Sequence, residues 1–216
     1  MSAGLRRFVG RPAPPDEPVS GPALLERCEL CGKAAGERHG HVVDTENRAL
    51  MCACRPCFLL FTRPDAAGGR FRAVPERYHH DPAHPLSRAD WERLGIPVGS
   101  VFFLRGDSGG DPGGGTTAFY PSPAGATECL LDLDAWAELL ATHPLFAAAQ
   151  PEVEAVLVRA EKDTDVECFL VPVDVCYQLV GTVRMYWQGF DGGTEAREQI
   201  EDFFATVRRS ATPLEG

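Results

Sequence analysis

Five cysteines and two histidines fall within thirty residues of this chain: Cys28-Glu-Leu-Cys31, His39-Gly-His41 and Cys52-Ala-Cys54-Arg-Pro-Cys57. Thiolates and imidazoles at this density are the donors of a tetrahedral transition-metal site. Cys28-x2-Cys31, followed by Gly32, has the form of a zinc knuckle, in which a tight turn aims two thiolates and neighbouring backbone N–H groups at one ion. Cys54-x2-Cys57 supplies a second pair. Twenty-two residues separate the pairs, slightly more than the roughly 15 to 20 of a usual zinc ribbon. A β-hairpin through His41-Val42-Val43 and Ala49-Leu50-Met51 would absorb the difference.

Seven donors exceed the four that one tetrahedral ion takes, and three schemes remain open. Zinc takes Cys28, Cys31, Cys54 and Cys57; or His41 or Cys52 replaces one of these; or two Cys and two His hold an iron-sulfur cluster. A Rieske centre would use Cys-x-His pairs, and the chain has none. His41 opens an apolar run and is the better ligand, whereas His39, in the polar loop Glu37-Arg38-His39-Gly40, reads as solvated. Four thiolates leave no open position, so such a site is structural; only a three-ligand scheme could activate water.

The elements that must position these donors are punctuated by Pro and Gly. Residues 1–23 form a Pro-rich arm with little periodic apolar pattern, read as disordered. Residues 24–62 form the Cys/His module, closed by the apolar run Phe58-Leu59-Leu60-Phe61, and 63–97 a connector with a short helix capped by Ser87 and Asp90. Residues 98–209 read as an α+β domain in the order ββαββαα, and 210–216 as a tail. Its four strands are expected at 98–105, 116–120, 153–159 and 166–173, with helices on one face of the sheet. Residues 106–115 form a Gly-rich loop between the first two. Asp132 or Asp134, Asp174 and Thr194 are the expected N-caps of the three longer helices.

Composition narrows the function classes. With 31 acidic against 21 basic side chains in 216 residues, the formal charge of −10 repels nucleic-acid backbones and anionic membranes. No run of about 18 apolar residues suggests a membrane span. Leu5-Arg6-Arg7-Phe8-Val9 superficially resembles a twin-arginine export signal, but Gly10-Arg11-Pro12 follows in place of an apolar region, so a cytoplasmic location is expected. In a reducing compartment clustered cysteines favour metal over disulfide, and Cys129, Cys168 and Cys176, set in apolar runs, read as core.

Other candidate chemistry is thinner. Residues 122–128, Ser-Pro-Ala-Gly-Ala-Thr-Glu, expose small side chains after a strand and could cradle an anion or a partner's tail. Glu128, Asp174 and Tyr177 would serve an enzyme only if they converged in one pocket. His79, His80 and His84 read as surface groups.

Together, the Cys28-Glu-Leu-Cys-Gly, His39-Gly-His41 and Cys52-Ala-Cys-Arg-Pro-Cys57 motifs, Tyr120-Pro-Ser-Pro-Ala-Gly-Ala-Thr-Glu128, and Val171-Pro-Val-Asp-Val-Cys-Tyr-Gln-Leu-Val-Gly181 with Trp187-Gln-Gly-Phe-Asp-Gly-Gly193 resemble an uncharacterised bacterial family. That family is common in actinobacteria and often encoded beside nickel-iron hydrogenase structural and maturation genes. The resemblance spans 24–208 and carries no established activity. It implies a hydrogenase accessory role, with hydrogenase subunits or maturation factors as partners. The chain departs from nickel-delivery proteins in lacking an N-terminal Met-His pair or a His-rich tract. Three functions are therefore expected in order: a non-enzymatic zinc-binding accessory or docking protein, an iron-sulfur electron-transfer protein, and an enzyme with a structural zinc.

Overall fold

The computed structural model describes residues 26–63, 65–106, 115–161 and 164–214. The Pro-rich arm and nearly all of the Gly-rich loop lie outside them.

The expected hairpin forms where its donors require it. Strands β1 (Gly40–Asp44) and β2 (Ala49–Ala53) pair antiparallel with His41 opposite Cys52 and Val42 opposite Met51, and β3 (Phe71–Ala73) adds to the other edge of β1. Helix α1 (Arg55–Leu60) follows at once, with Cys54 as its N-cap and Pro56 in its first turn, where a missing N–H costs nothing. Asp44 ends β1 with its carboxylate on the Arg70 guanidinium, 2.8 Å from Nη2. That partner, outweighing burial, holds the Asp44 carboxyl well below the usual carboxylate range.

The larger sheet comprises β4 (His79–His80), β5 (Ser100–Arg105), β6 (Thr116–Ser122), β7 (Gly125–Cys129), β8 (Glu154–Arg159), β9 (Glu167–Pro172) and β10 (Thr212–Pro213). Its order is β10-β4-β9-β8-β5-β6-β7, antiparallel except for the β10–β4 pair. Among the described residues the sheet thus has seven strands where about four were expected. The four expected strands are present; β4 and β10 have two residues each, too short for any alternation to register. β7, Gly-Ala-Thr-Glu-Cys, lacks the apolar alternation that marks a strand. Residues of the 63–97 connector enter both sheets, and the 210–216 tail supplies an edge strand.

Helices α2 (Arg88–Arg93), α3 (Leu133–Thr142), α4 (Pro144–Ala148), α5 (Val173–Tyr186) and α6 (Gly193–Ser210) cover both faces of this sheet, not one. Trp91, Trp136, Leu139 and Phe146 pack with Val101, Phe103, Val156 and Val158 on one face. Leu179, Val180, Phe204 and Val207 pack with Phe102, Ala155, Leu157 and Phe169 on the other. The cause lies in β8, Glu-Ala-Val-Leu-Val-Arg, which is buried at every position. A continuous apolar run of this kind marks a strand sandwiched on both sides. Ser87 caps α2, its Oγ accepting from the Asp90 N–H, and Asp132 caps α3, as expected. Asp174 does not cap α5; Pro172 precedes the helix and Asp174 sits in its first turn. Nor does Thr194 cap α6, which begins one residue earlier behind Gly192 in the left-handed region at φ 85.

Glu154, fully buried at the start of β8, is the one acidic group inside this sandwich among the described residues with no exposed surface. Arg77, between the two sheets in sequence, grips it bidentately, Nε to Oε1 at 2.6 Å and Nη2 to Oε2 at 2.8 Å. The Gln150 N–H donates to the same Oε2 at 2.9 Å.

The small module docks on the larger body through Val43, Val74, Val153 and Val173, with Leu50 and Leu104 alongside. Burying a valine contributes about 1.5 kcal/mol or more, so the four valines make this seam a stabilising contact. A cavity of about 130 Å³, lined by Val43, Leu50, Leu104, Phe119 and Tyr177, opens beside the seam.

Candidate metal centre

Each Cys pair is aimed by its own local turn. In the first, Cys28 N–H donates to the Lys33 carbonyl and Gly32 N–H to the Cys28 carbonyl, both at 2.8 Å. Gly32 takes φ 73, a left-handed conformation that a residue with a Cβ adopts only with strain. The Glu29 N–H, donating to the Cys52 carbonyl at 2.9 Å, ties this turn to β2. In the second, the start of α1 places Cys57 one turn after Cys54.

The four sulfurs of Cys28, Cys31, Cys54 and Cys57 converge to within 4.8 Å of one another. Around one ion with bonds of about 2.3 Å and tetrahedral angles, neighbouring sulfurs stand about 3.8 Å apart. Cys31 Sγ and Cys54 Sγ are 3.7 Å apart, whereas a disulfide requires about 2.05 Å. The donor set therefore fits one metal ion.

Electrostatics agree with that fit. Burial raises the Cys28 thiol, but backbone N–H groups of Cys54, Cys31 and Leu30 outweigh it and bring the group down to about 6. Cys57 is pushed up to about 12, chiefly by burial and then by hydrogen bonds to Cys54, Cys31 and Cys28. Cys28 is thus a ready thiolate donor, and Cys57 holds a proton that a divalent cation would displace. When bound, such an ion supplies cross-linking of the two turns and, with four thiolates around it, no open position for water.

The apolar lining is small: Val42, Ala53 and Phe58 complete the buried set with Cys28 and Cys54. Phe58 packs against β1 at Gly40, where a Cβ would stand 2.3 Å from the ring. Gly40→Ala is expected to destabilise the module by about 1–3 kcal/mol, as overpacking does. The check is faster amide hydrogen exchange in β1 and α1 with the β8–β9 amides unchanged.

The remaining donors lie elsewhere. His41 is not in the four-sulfur set; its Nδ1 stands 2.7 Å from Asp174 Oδ2 on α5, across the seam. That hydrogen bond, opposed by burial, raises the imidazole above its ordinary value. Cys52 is not in the set either, and gathers instead with Glu26 and His39. Neither Glu26 nor Asp81 is among the donors expected from the sequence; Asp81 binds His84 Nδ1 at 2.9 Å beside a cleft of about 350 Å³ that includes buried His143. The spacing of His84 three residues after Asp81 was a usable signal; His143, fifty-nine residues on, was not.

The other candidate chemistry does not assemble. Residues 122–128 form a tight hairpin between β6 and β7, with Ser122 Oγ bonded to the Gly125 carbonyl and the Thr127 hydroxyl. Glu128 is exposed on β7, Asp174 is committed to His41, and Tyr177 lines the seam cavity, which neither carboxylate enters.

Fold and site together define a four-cysteine module docked on an α+β sandwich. The chain belongs to the family of unknown function DUF5947, whose model matches residues 27–211. No curated protein and no solved structure matches it. No described helix is long and apolar enough to cross a membrane.

Proposed function

We propose that the chain is a non-enzymatic zinc-binding accessory protein, in which Cys28, Cys31, Cys54 and Cys57 hold one Zn²⁺ that organises a docking module. The observation that carries this reading is the four-sulfur convergence within 4.8 Å, the size of one coordination sphere. An iron-sulfur cluster interposes several irons and sulfides between its thiolates and needs them spread wider. A closed four-thiolate sphere favours structure over catalysis. Helix α1 presents Leu59 and Leu60, 52% and 66% exposed, on the outside of the module, as a docking surface would.

The partner side of the proposal rests on the resemblance to the hydrogenase-linked family: hydrogenase subunits or maturation factors in the cytoplasm. Metal analysis with visible absorption on anaerobically purified protein tests the centre. A colourless protein retaining one tightly held zinc per chain is the expected result; bound iron with visible colour overturns it, and so does a metal-free chain whose cysteine module is fully folded. Co-purification with co-expressed hydrogenase subunits, lost in Leu59→Asp/Leu60→Asp, tests the partner.

A further inference from the structure

The donors left over from the four-sulfur centre are themselves brought together. His39 Nε2 stands 2.9 Å from Glu26 Oε2, and Cys52 Sγ stands 4.0 Å from the same oxygen. All three ligand atoms lie within 4.8 Å of one another. The other nitrogen of the ring, His39 Nδ1, is 3.1 Å from the Gly36 carbonyl. A carbonyl only accepts, so Nδ1 carries a proton and Nε2 is the atom turned to the cluster. Orientation of an imidazole by a backbone carbonyl at its far nitrogen is how metal-binding histidines are held. The His41 ring, edge-on at 5.3 Å, limits how far the His39 ring can turn.

We propose that Glu26, His39 and Cys52 form a second, open site for a borderline divalent ion such as Zn²⁺, exchangeable where the four-cysteine ion is not. An ion pair between Glu26 and His39 alone would account for two of the groups and contribute about 0–1 kcal/mol. It leaves the Cys52 thiol at 4.0 Å from the same oxygen, at the outer limit of an S–H···O hydrogen bond. One sulfur, one nitrogen and one oxygen suit zinc, with bonds of about 2.3, 2.0 and 2.0 Å. Those bonds set donor separations of about 3.3 to 3.5 Å, between the two distances observed. The Glu26 side chain, 65% exposed, is free to make the adjustment. Binding releases two protons to solvent, the Cys52 thiol proton and the one held between His39 Nε2 and Glu26 Oε2. Three ligands leave the fourth position open to water or to a donor from another protein.

The inference rests on the four-cysteine reading, because Glu26 adjoins the first knuckle and Cys52 precedes the second. The test uses the full chain, washed with chelator to leave only the tight ion, and titrates it calorimetrically with Zn²⁺. One further equivalent is expected, weakened by more than about 100-fold in His39→Gln and in Cys52→Ser, beyond what loss of an outer hydrogen-bond partner costs. Both variants should keep the tight ion, which shows that the module still folds. No further equivalent in the unsubstituted chain overturns the proposal, as does a further equivalent indifferent to both substitutions. Absence of the tight ion after washing counts against the four-cysteine reading instead, and the second site is then judged by the same wild-type against variant difference.

Discussion

Cys54→Ser is expected to unfold the cysteine module and to leave the seven-stranded sheet folded. The module is a segment of fewer than about 40 residues, a size at which an apolar core alone rarely suffices. Among the described residues the buried cluster around its sulfurs holds only Val42, Ala53 and Phe58 besides two of the cysteines, and Val42 and Phe58 contribute about 1.5–3 kcal/mol each. A structural zinc contributes about 10–16 kcal/mol of apparent binding free energy in zinc-finger peptides, so an ion held here as proposed would dominate this balance. The body, with both sheet faces covered, has its own core. Amide exchange read by mass spectrometry checks the outcome: protection disappears over 27–61 and persists in β8 and β9. Module amides that stay protected in Cys54→Ser would mean that packing, not metal, holds the two knuckles.

Arg77→Ala is expected to destabilise the body by about 3 kcal/mol, the low end of the range for breaking a buried ion pair. The low end applies because the Arg77 side chain is 40% exposed while Glu154 is fully buried. Removal strands a carboxylate that then keeps only the Gln150 N–H. For a chain of this length the change lowers the melting temperature by roughly 6–12 °C. Arg77→Ala combined with Glu154→Leu should recover much of the loss, since replacing a buried pair with apolar groups is often neutral. Equal melting temperatures for Arg77→Ala and the unsubstituted chain would show that Glu154 is solvated by other means.

What could be read from residues alone followed from how local its cause was. The two knuckles, the hairpin between them and the Ser87 and Asp132 caps depend on neighbours within a few positions, and each is where its spacing puts it. The Asp174–His41 contact spans 133 residues. Nothing in the helix-start pattern around Asp174 distinguishes a cap from a carboxylate reaching across to another module. His39 and Cys52 were visible as surplus donors, but their convergence on Glu26 depends on the β1–β2 register and the return of the chain at Ala35, whose N–H donates to the Glu26 carbonyl. The second covered face was hidden for a different reason: α3 and α5 have similar apolar stripes, and a stripe does not state which side of a sheet it will meet.

Strand β1 turns its residues alternately to two masters. Gly40 and Val42 look into the sulfur cluster, and His41 and Val43 into the seam with the body. A shift of one position would send a valine to where a histidine must meet Asp174 and a histidine into the apolar lining of the sulfur cluster. The strand therefore has a single workable reading frame, enforced from both sides, which makes its length far less free to drift than that of the turn at residues 45–48 beside it.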